Sequence, residues 1–401
     1  MSRPRILVLN QYYRPGVEAT ANLLADLCEE LAGDYDVTVV TGRLQGREDL
    51  PSSELLNGVR VLRTRSTAFD RTKLHLRTLN YLTYLADSLA RALTSRRPQL
   101  VLCMTDPPIV GDLGVVVARR FRVPLLVISE DVFPEIATEL GRLTNPALVQ
   151  TLRRLVAYYL KRADHVVAIG ERMRERLVEK GASADRITVI PNWVDSRAIV
   201  PGPHGTPWAR EQGLVDRFVV MHSGNVGHAQ NLDNLVYATT YLRDLDDLAV
   251  PVVGFGARHA EVQALASRLE ADSVWFLPYQ PREALTESLG SAHLHYVGLA
   301  KGLSGFVVPS RLYGILAAGR PVIVAADPDS ETARLVDEVQ CGVVLPPDRP
   351  DLLAAAIRDA HDGRLDLEAM GRRGREYVER EADRSVALGR YRSLIDRLIA
   401  A

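Results

Sequence analysis

The stretch LSGFVVPSRLYGILAAGRPVIVAAD, residues 303 to 327, decides the fold. Pro309 suits the first turn of a helix, where its missing N–H is not needed, and Gly319 followed by Arg-Pro ends that helix before a buried strand. Ser310 and Arg311 would stand on the first turn, where unpaired N–H groups favour a phosphate and the guanidinium can add a charged fork. A proline-capped helix that only packs on a sheet explains the same residues, so this stretch alone leaves both interpretations open.

The same alternation of helix and strand extends in both directions along the chain. Runs rich in Val, Ile and Leu, without strict polar alternation, are typical of parallel strands covered on both faces. The predicted strands are 5–10, 36–41, 59–65, 100–105, 124–130, 165–170, 187–192, 218–224, 249–254, 274–279, 293–299 and 321–327. Pro201–Pro207, with three prolines and two glycines, interrupts the pattern. We therefore predict an α/β protein of two Rossmann-like, doubly wound domains, 1–200 and 201–383, facing a central cleft, with a last helical stretch at 384–401.

Composition limits the class of protein. The 401 residues are 47% hydrophobic and 25% charged, which is ordinary for a soluble protein with sizeable cores. Three widely spaced cysteines form neither a disulfide framework nor a metal knuckle, and the sequence shows no membrane span or secretory signal. A cytoplasmic protein, soluble or peripheral on the inner face of the plasma membrane, is therefore expected.

A basic stretch in the first half suggests an anionic partner. The net charge of −1 combines a positive first half with a negative second half. The basic residues of this stretch are Arg60, Arg63, Arg65, Arg71, Lys73 and Arg77, with Asp70 as the one acid among them. Contact with a membrane surface and a solvated helix face explain this composition about equally well. No nucleic-acid-binding motif accompanies it, so nucleic acid is not expected as a partner.

Two glycine-containing loops follow predicted strands of the second domain. The first loop contains Gly224, Asn225 and Gly227, and the second contains Gly254 and Gly256. A strand, a glycine turn and a helix can hold a pyrophosphate against backbone N–H groups. Each loop alone is a weak signal, because glycine turns are common and the spacing is not the dinucleotide fingerprint. Together with the helix after Pro309, the two loops favour a nucleotide site.

Polar residues also follow predicted strands of the first domain. Gly16 lies in the loop after the first strand, and Glu130, Asp131 and Glu135 follow another. Asp131 could act as a base or hold acceptor hydroxyls, or it could be a turn former before Pro134. Glu135 is a weaker candidate for the same acceptor side.

These motifs together resemble glycosyltransferase family four, in its bacterial exopolysaccharide and O-antigen branch. The resembling segments are 11–15, 131–135, 223–233, 254–256, 277–279 with 281–283, 308–323 and 329–331, which extend over nearly the whole chain. The resemblance implies the GT-B fold, with an acceptor domain, then a nucleotide-sugar domain, and a last helix that crosses back to the first domain. It implies transfer with retention from a nucleotide-diphosphate donor, expected to be a UDP-sugar, to a lipid-linked saccharide, without an essential metal or other cofactor.

The resemblance also implies roles for particular residues. Ser310, Arg311 and the loop from Gly224 to Gly227 would meet the charge of the leaving diphosphate, with Ser304 on the same side. The backbone at Pro278 and Tyr279 would hold the base, and Glu331 would contact the donor.

The chain departs from the family pattern at two places. Phe306 and Gly314 stand where many members carry two glutamates, the second of which binds the ribose. Asn225 and Gln230 stand where many members carry Arg and Lys, which leaves more of the phosphate charge to Arg311. A secondary-metabolite transferase and a non-catalytic sugar-nucleotide-binding subunit are the alternatives to a polysaccharide transferase.

Overall fold

The structure is a computed structural model that describes residues 3–16, 19–47, 49–69 and 74–401. The chain forms two compact units. Unit 1 comprises Met1–Pro191, Gly305–Val307 and Leu388–Ala401, and unit 2 comprises Asn192–Ser304 and Val308–Ala387. Each unit is an α/β body with its own sheet.

Unit 1 contains an eight-stranded sheet. Its strands are β1 (Arg5–Leu9), β2 (Asp36–Thr41), β3 (Ser53–Leu56), β4 (Val59–Arg63), β5 (Leu100–Met104), β6 (Leu125–Ser129), β7 (His165–Ala168) and β8 (Ile187–Val189). Its helices are α1 (Ala19–Leu31), α2 (Leu74–Thr94), α3 (Val110–Phe121), α4 (Glu135–Glu139), α5 (Pro146–Arg162) and α6 (Glu171–Glu179). The strand order is β3-β4-β2-β1-β5-β6-β7-β8, in which β3 pairs antiparallel with β4 and the other described neighbours pair in parallel. Strands β5 and β6 are buried along their whole length, as expected for apolar runs in a parallel sheet.

Unit 2 contains a six-stranded, wholly parallel sheet. Its strands are β9 (Phe218–Ser223), β10 (Leu248–Val253), β11 (Val274–Leu277), β12 (Leu294–Gly298), β13 (Val322–Ala325) and β14 (Gly342–Leu345). The helices are α7 (Pro207–Glu211), α8 (Leu232–Thr239), α9 (His259–Arg268), α10 (Leu285–Gly290), α11 (Arg311–Ala317), α12 (Glu331–Val339), α13 (Pro350–His361), α14 (Leu367–Tyr377) and α15 (Arg384–Ala400), whose residues from Leu388 onward belong to unit 1. The strand order is β11-β10-β9-β12-β13-β14.

In each sheet the strand order reverses beside the first strand of the unit. Strand β1 lies between β2 and β5, and β9 lies between β10 and β12. Open parallel sheets bind ligands outside the carboxyl ends of their strands at such a reversal. Functional residues are therefore expected in the loops that follow these strands.

Two details of the predicted elements are wrong. The strands β3 and β14 are absent from the prediction, and the helix expected to begin at Pro309 begins at Arg311. The N–H groups of Leu312 and Tyr313 donate three residues back, at 3.1 and 3.3 Å, so a tighter turn precedes the α-helical pattern. Ser310 is thus the residue before α11, and its side chain caps no N–H group.

The units divide at Pro191, whereas the sequence placed the domain boundary at residue 200. Residues after Pro191 are tied to unit 2 because the Ser196 hydroxyl donates to Asp383 at 2.5 Å and Arg375 donates to the Ser196 carbonyl at 2.8 Å. In unit 1, Arg392 of α15 pairs with Glu30 of α1 at 3.2 Å. The end of the last helix therefore packs within unit 1.

Candidate active site

The two glycine loops of unit 2 pack against each other where β9 and β10 end. Gly224 donates its N–H to the Val253 carbonyl at 2.9 Å, and both Gly224 and Gly254 have a φ of +136°. A Cβ atom on Gly254 would lie 2.0 Å from the Gly224 carbonyl oxygen. Glycine is therefore required at Gly254 by space, and at both turns by backbone conformation.

The Asn225 side chain is exposed and lies next to the remaining glycines of these loops. A Cβ on Gly227 would lie 2.7 Å from Asn225 Nδ2, and a Cβ on Gly256 would lie 2.5 Å from Asn225 Oδ1. The Gly227 N–H donates to Gln230 Oε1 at 3.0 Å. Asn225 and Gln230 therefore shape the loop, and the positive charge at this edge must come from elsewhere.

Arg311 supplies that charge as the first residue of α11. Its Nη2 donates to the Gly298 carbonyl at 3.0 Å, and its Cδ lies 3.6 Å from the position of a Cβ on Gly224. In the part of the chain that the structure describes, Arg311 forms no ion pair, and its Nε is buried without a hydrogen-bond partner. Burial lowers the pKa of Arg311 to about 10, so the guanidinium stays charged at neutral pH. A desolvated cation without an anion is unfavourable, so this edge suits an anionic ligand such as a diphosphate.

The other predicted donor-side residues follow strands at the same carboxyl edge of the sheet. Pro278 and Tyr279 follow β11, Ser304 and Ser310 lie between β12 and α11, and Glu331 begins α12 after β13. The Tyr279 side chain is 59% exposed, and its phenol is close enough to influence the pKa of Arg311. The Ser304 hydroxyl is buried and has no hydrogen-bond partner among the described residues.

Asp131 follows β6 in unit 1. Its backbone forms an antiparallel bridge with Val307, and the next N–H, of Val132, donates to the Phe306 carbonyl at 2.8 Å. Burial, together with the charge of Asp106, raises the pKa of the Asp131 carboxyl to about 7, although Arg77 acts in the opposite direction. A carboxyl that titrates near neutral pH at the end of a strand can accept a proton from a hydroxyl.

The loop that contains Gly16 is tied to the loop that contains Asp106. The Gln11 N–H donates to the Asp106 carbonyl at 2.7 Å, and the Asp106 carboxylate accepts from the Thr20 hydroxyl at 2.9 Å. Gly16 closes a turn by donating its N–H to the Tyr13 carbonyl at 2.9 Å. The loops after β1 and β5 therefore hold Asp106 in place, and its charge acts on Asp131.

Glu135 begins α4 and is held by two cations. Its Oε1 accepts from Arg153 Nε at 3.1 Å, and its Oε2 accepts from Lys180 Nζ at 2.6 Å. All three side chains line a cavity of about 380 Å³ within unit 1. Because both oxygens of Glu135 already accept from cations, this residue is better suited to binding than to proton transfer.

Two family models match the chain. Residues 18–193 match the glycosyl transferase 4-like domain, and residues 207–377 match the glycosyl transferases group 1 domain. The chain is a family-four-like glycosyltransferase. Its activity is glycosyl transfer from a nucleotide sugar.

Named relatives and a solved structure resemble the transferase along most of its length. It is 25% identical over 308 residues to "Probable glycosyltransferase WbjE" of Pseudomonas aeruginosa, a match that covers 76% of each chain. It is 29% identical over 236 residues to WcaI of Escherichia coli K12, whose name assigns it to colanic acid biosynthesis. That match covers 58% of this chain and 57% of WcaI. Anabaena HepE in complex with UDP-glucose has a TM-score of 0.76 at 17% identity, with 98% of the transferase and 99% of that chain covered. This likeness shows the GT-B fold.

The basic residues between Arg60 and Arg77 that the structure describes differ in their exposure. Arg63 is buried and pairs with Glu54 at 2.6 Å, and Arg77 is partly buried and donates to the Tyr81 hydroxyl at 2.5 Å. Asp70, Arg71 and Lys73 lie outside the described residues, and Arg60 and Arg65 are exposed. Two of the six basic side chains, Arg63 and Arg77, therefore have partners within unit 1.

Several residues that contact the predicted site residues or the loops around them were not predicted from the sequence. His222, fully buried at the end of β9, has its Nε2 3.2 Å from the Asn225 carbonyl, and burial together with Arg311 holds its pKa well below the usual value. The Tyr296 hydroxyl donates to the Asn231 carbonyl at 2.9 Å. The sequence does indicate His222 and Tyr296, because each is a polar residue within an apolar strand and buried polar groups need hydrogen-bond partners. Lys180 gives no such signal, since it lies in polar helical sequence.

Proposed function

We propose that the transferase moves a hexosyl or N-acetylhexosaminyl group from a UDP-sugar to a hydroxyl of a lipid-linked saccharide, with retention at the anomeric carbon. Unit 2 binds the donor and unit 1 binds the acceptor. The observation that carries the proposal is Arg311, which borders two close-packed glycine loops and forms no ion pair within the described residues. The UDP-glucose bound to HepE supports the donor class, and the name of WcaI supports the acceptor class.

The proposed reaction assigns one task to the loops around Arg311 and another to the loops around Asp131. The acceptor oxygen forms a bond to the anomeric carbon while the bond from that carbon to the diphosphate oxygen breaks. Negative charge then develops on the leaving diphosphate, and Arg311 stabilises it, which supports transfer without a metal cofactor. The acceptor proton passes to the carboxylate form of Asp131. Retention is the stereochemistry that the family resemblance implies.

Donor binding tests this assignment. In titration calorimetry, UDP and UDP-sugars should bind more tightly than ADP-glucose or GDP-mannose. Arg311→Gln should weaken UDP binding by roughly tenfold to a hundredfold, the range for losing a charged hydrogen-bond donor. The matched control Arg334→Gln, which removes an arginine that is 46% exposed on α12, should bind UDP like the parent. Equal UDP affinity of the parent and Arg311→Gln would contradict the proposal.

Helix α2 supports contact of the transferase with a membrane surface. The exposed residues of α2 after its first turn are Thr78, Leu79, Leu82, Ala86, Ala90, Leu93 and Thr94, and none of them is charged. Exposed Arg65 donates its N–H to Asp87 of α2, and exposed Arg96 follows the helix. An uncharged helix face bordered by arginines suits the surface of an anionic bilayer. Within the described ranges, no helix is both long and apolar enough to cross a bilayer.

Vesicle binding tests the membrane contact. The double variant Leu79→Asp/Leu82→Asp places two charges on the apolar face and should reduce binding to vesicles that contain phosphatidylglycerol. Leu55→Asp is the control, because Leu55 is 73% exposed on β3, away from α2 in sequence. Unchanged vesicle binding of the double variant would exclude α2 as the contact and leave the transfer reaction unaffected.

A further inference from the structure

The cavity beside Glu135 is formed by four separate segments of unit 1. Val132 lies just after β6, Glu135 begins α4, and Arg153 with Ala157 comes from the middle of α5. The end of α6 and the residue after it contribute Arg176, Glu179 and Lys180, and Phe306 completes the lining. The volume of about 380 Å³ is within the range of small-molecule sites.

The cavity carries more positive than negative side chains. Arg153, Arg176 and Lys180 face Glu135 and Glu179. The carboxylate of Glu135 is shared by two of these cations, and the side chains of Lys180 and Glu135 are only 11% and 16% exposed. Burial lowers the pKa of Lys180, which an anionic ligand would counteract. The surplus positive charge therefore favours an anion in the cavity.

Arg176 has donor capacity left inside this group. Its Nη1 donates to Glu179 at 3.2 Å, a carboxylate that is 60% exposed. Its Nε is buried and makes no hydrogen bond in the described part of the chain. A buried donor without a partner is unfavourable, and an oxygen of a bound anion would satisfy it.

One wall of the cavity is fixed by backbone contacts. The Phe306 carbonyl accepts from the Val132 N–H at 2.8 Å, and the Phe306 ring centre lies 5.0 Å from the Arg176 guanidinium carbon. Gly305 has a φ of +76°, and a Cβ there would lie 2.9 Å from Arg176 Cγ. The aromatic ring is thus held next to Val132, directly after Asp131 in the chain. An acceptor whose hydroxyl reaches Asp131 can place a neighbouring group here.

We propose that this cavity is an acceptor subsite that binds an anionic group, a phosphate or a carboxylate, through Lys180, Arg176 and Arg153. The proposal rests on the acceptor-binding function assigned to unit 1. It restricts the acceptor to saccharides or saccharide carriers that bear a negative charge near the reacting hydroxyl. Phe306, Val132 and Ala157 supply the apolar surface against which a sugar ring can pack.

The test uses the full-length transferase with its donor site saturated by UDP. Binding of inorganic phosphate, glucuronate and glucose is measured by ligand-observed NMR for the parent and for Lys180→Gln, Arg176→Gln and Arg154→Gln. Phosphate or glucuronate should bind the parent, and Lys180→Gln and Arg176→Gln should each weaken that binding by about tenfold. Arg154→Gln is the control, because Arg154 is an exposed neighbour of Arg153 that does not line the cavity. The preference between phosphate and glucuronate identifies the anion.

A charge-preserving variant separates binding from folding. Lys180→Arg should retain anion binding, whereas a purely structural Glu135–Lys180 pair predicts lower melting temperatures for Lys180→Gln without a change in anion affinity. Equal binding of glucose and glucuronate, or equal anion binding by the parent and both glutamine variants, would overturn the subsite. Failure of the proposed function gives a different result, because UDP would then bind the parent and Arg311→Gln equally.

Discussion

The loops around Arg311 in unit 2, the donor edge, and the loops around Asp131 in unit 1, the acceptor edge, balance charge in opposite ways. Arg311 has no anionic partner within the described residues, and the loops beside it exclude side chains at Gly254. Asp131 lies near a second carboxyl, Asp106, and its raised pKa of about 7 lets it bind a proton. The donor edge is therefore completed by the charge of a ligand, and the acceptor edge is completed by a proton. Each prediction below tests one side of this contrast.

Arg311→Ala should have the largest effect, a fall in kcat/KM of about 10³-fold. The variant removes the cation that offsets the charge on the leaving diphosphate, and loss of one preorganised donor typically costs roughly 10²–10³-fold in rate. The measurement is steady-state transfer with a UDP-sugar and a lipid-linked acceptor, alongside the Arg334→Ala control. Near-parental kcat/KM in Arg311→Ala would show that Arg311 does not stabilise the leaving diphosphate.

Asp131→Asn should lower kcat by about 10²-fold, within the usual range for loss of a general base. Protonation of the Asp131 carboxyl inactivates a base, so parental kcat should fall as pH decreases below about 7. The asparagine variant should lose this acidic limb and keep a low, flat profile. A pH–rate series on both proteins measures the effect, and an unchanged limb in the variant would assign the titration to another group.

Asp106→Asn tests whether the charge of Asp106 contributes to the raised pKa of Asp131. Removing the neighbouring negative charge should lower the pKa of Asp131, because a nearby carboxylate disfavours its ionised form. The acidic limb should therefore move to lower pH while the plateau kcat stays near the parental value. Asp337→Asn, on the exposed side of α12, should leave the limb in place. A limb that does not move in Asp106→Asn would show that the two carboxyls are not coupled.

Gly254→Ala should lower the free energy of unfolding by more than about 2 kcal/mol, because one strained backbone position costs roughly that much and the close approach to Gly224 adds to it. Both the φ of +136° and the 2.0 Å approach to the Gly224 carbonyl oppose a side chain there. Gly363→Ala is the matched control, since Gly363 has a φ of +72° but nothing within 4 Å of an added Cβ. Urea denaturation compares the two, and equal losses would show that close packing of the glycine loops adds nothing.

The sequence predicts the fold well where strands are continuous apolar runs. The central strands β1, β5, β9 and β10 agree with the prediction within one residue at each end, because burial on both faces leaves an unambiguous pattern. Strand β3 is missed because its residues alternate between exposed and half-buried, and β14 is half-buried throughout. Such short edge strands depend on their neighbours for pairing, which no local pattern records.

The site is less predictable because its contacts join distant residues. Gly224, Gly254 and Arg311 each follow a recognisable local pattern, and the structure brings them together. The pairing of Glu135 with Lys180 links positions 45 residues apart, and no local pattern indicates it. The sequence also does not indicate that Phe306 belongs to unit 1, since the residues on both sides of Gly305–Val307 belong to unit 2.

Gly314→Ala should have the smallest effect, an increase in the free energy of unfolding of roughly 0.5–1 kcal/mol. Gly314 lies inside α11, where alanine has the higher helix propensity. An added Cβ would meet Leu289 Cδ1 at 3.6 Å and Ile199 Cδ1 at 3.9 Å, which are ordinary packing distances. Gly389→Ala in α15, with nothing near its Cβ, measures the propensity gain alone. A destabilised Gly314→Ala would mean that α11 needs glycine here, and glycine at the position of the missing family glutamate would then have a structural cause within unit 2.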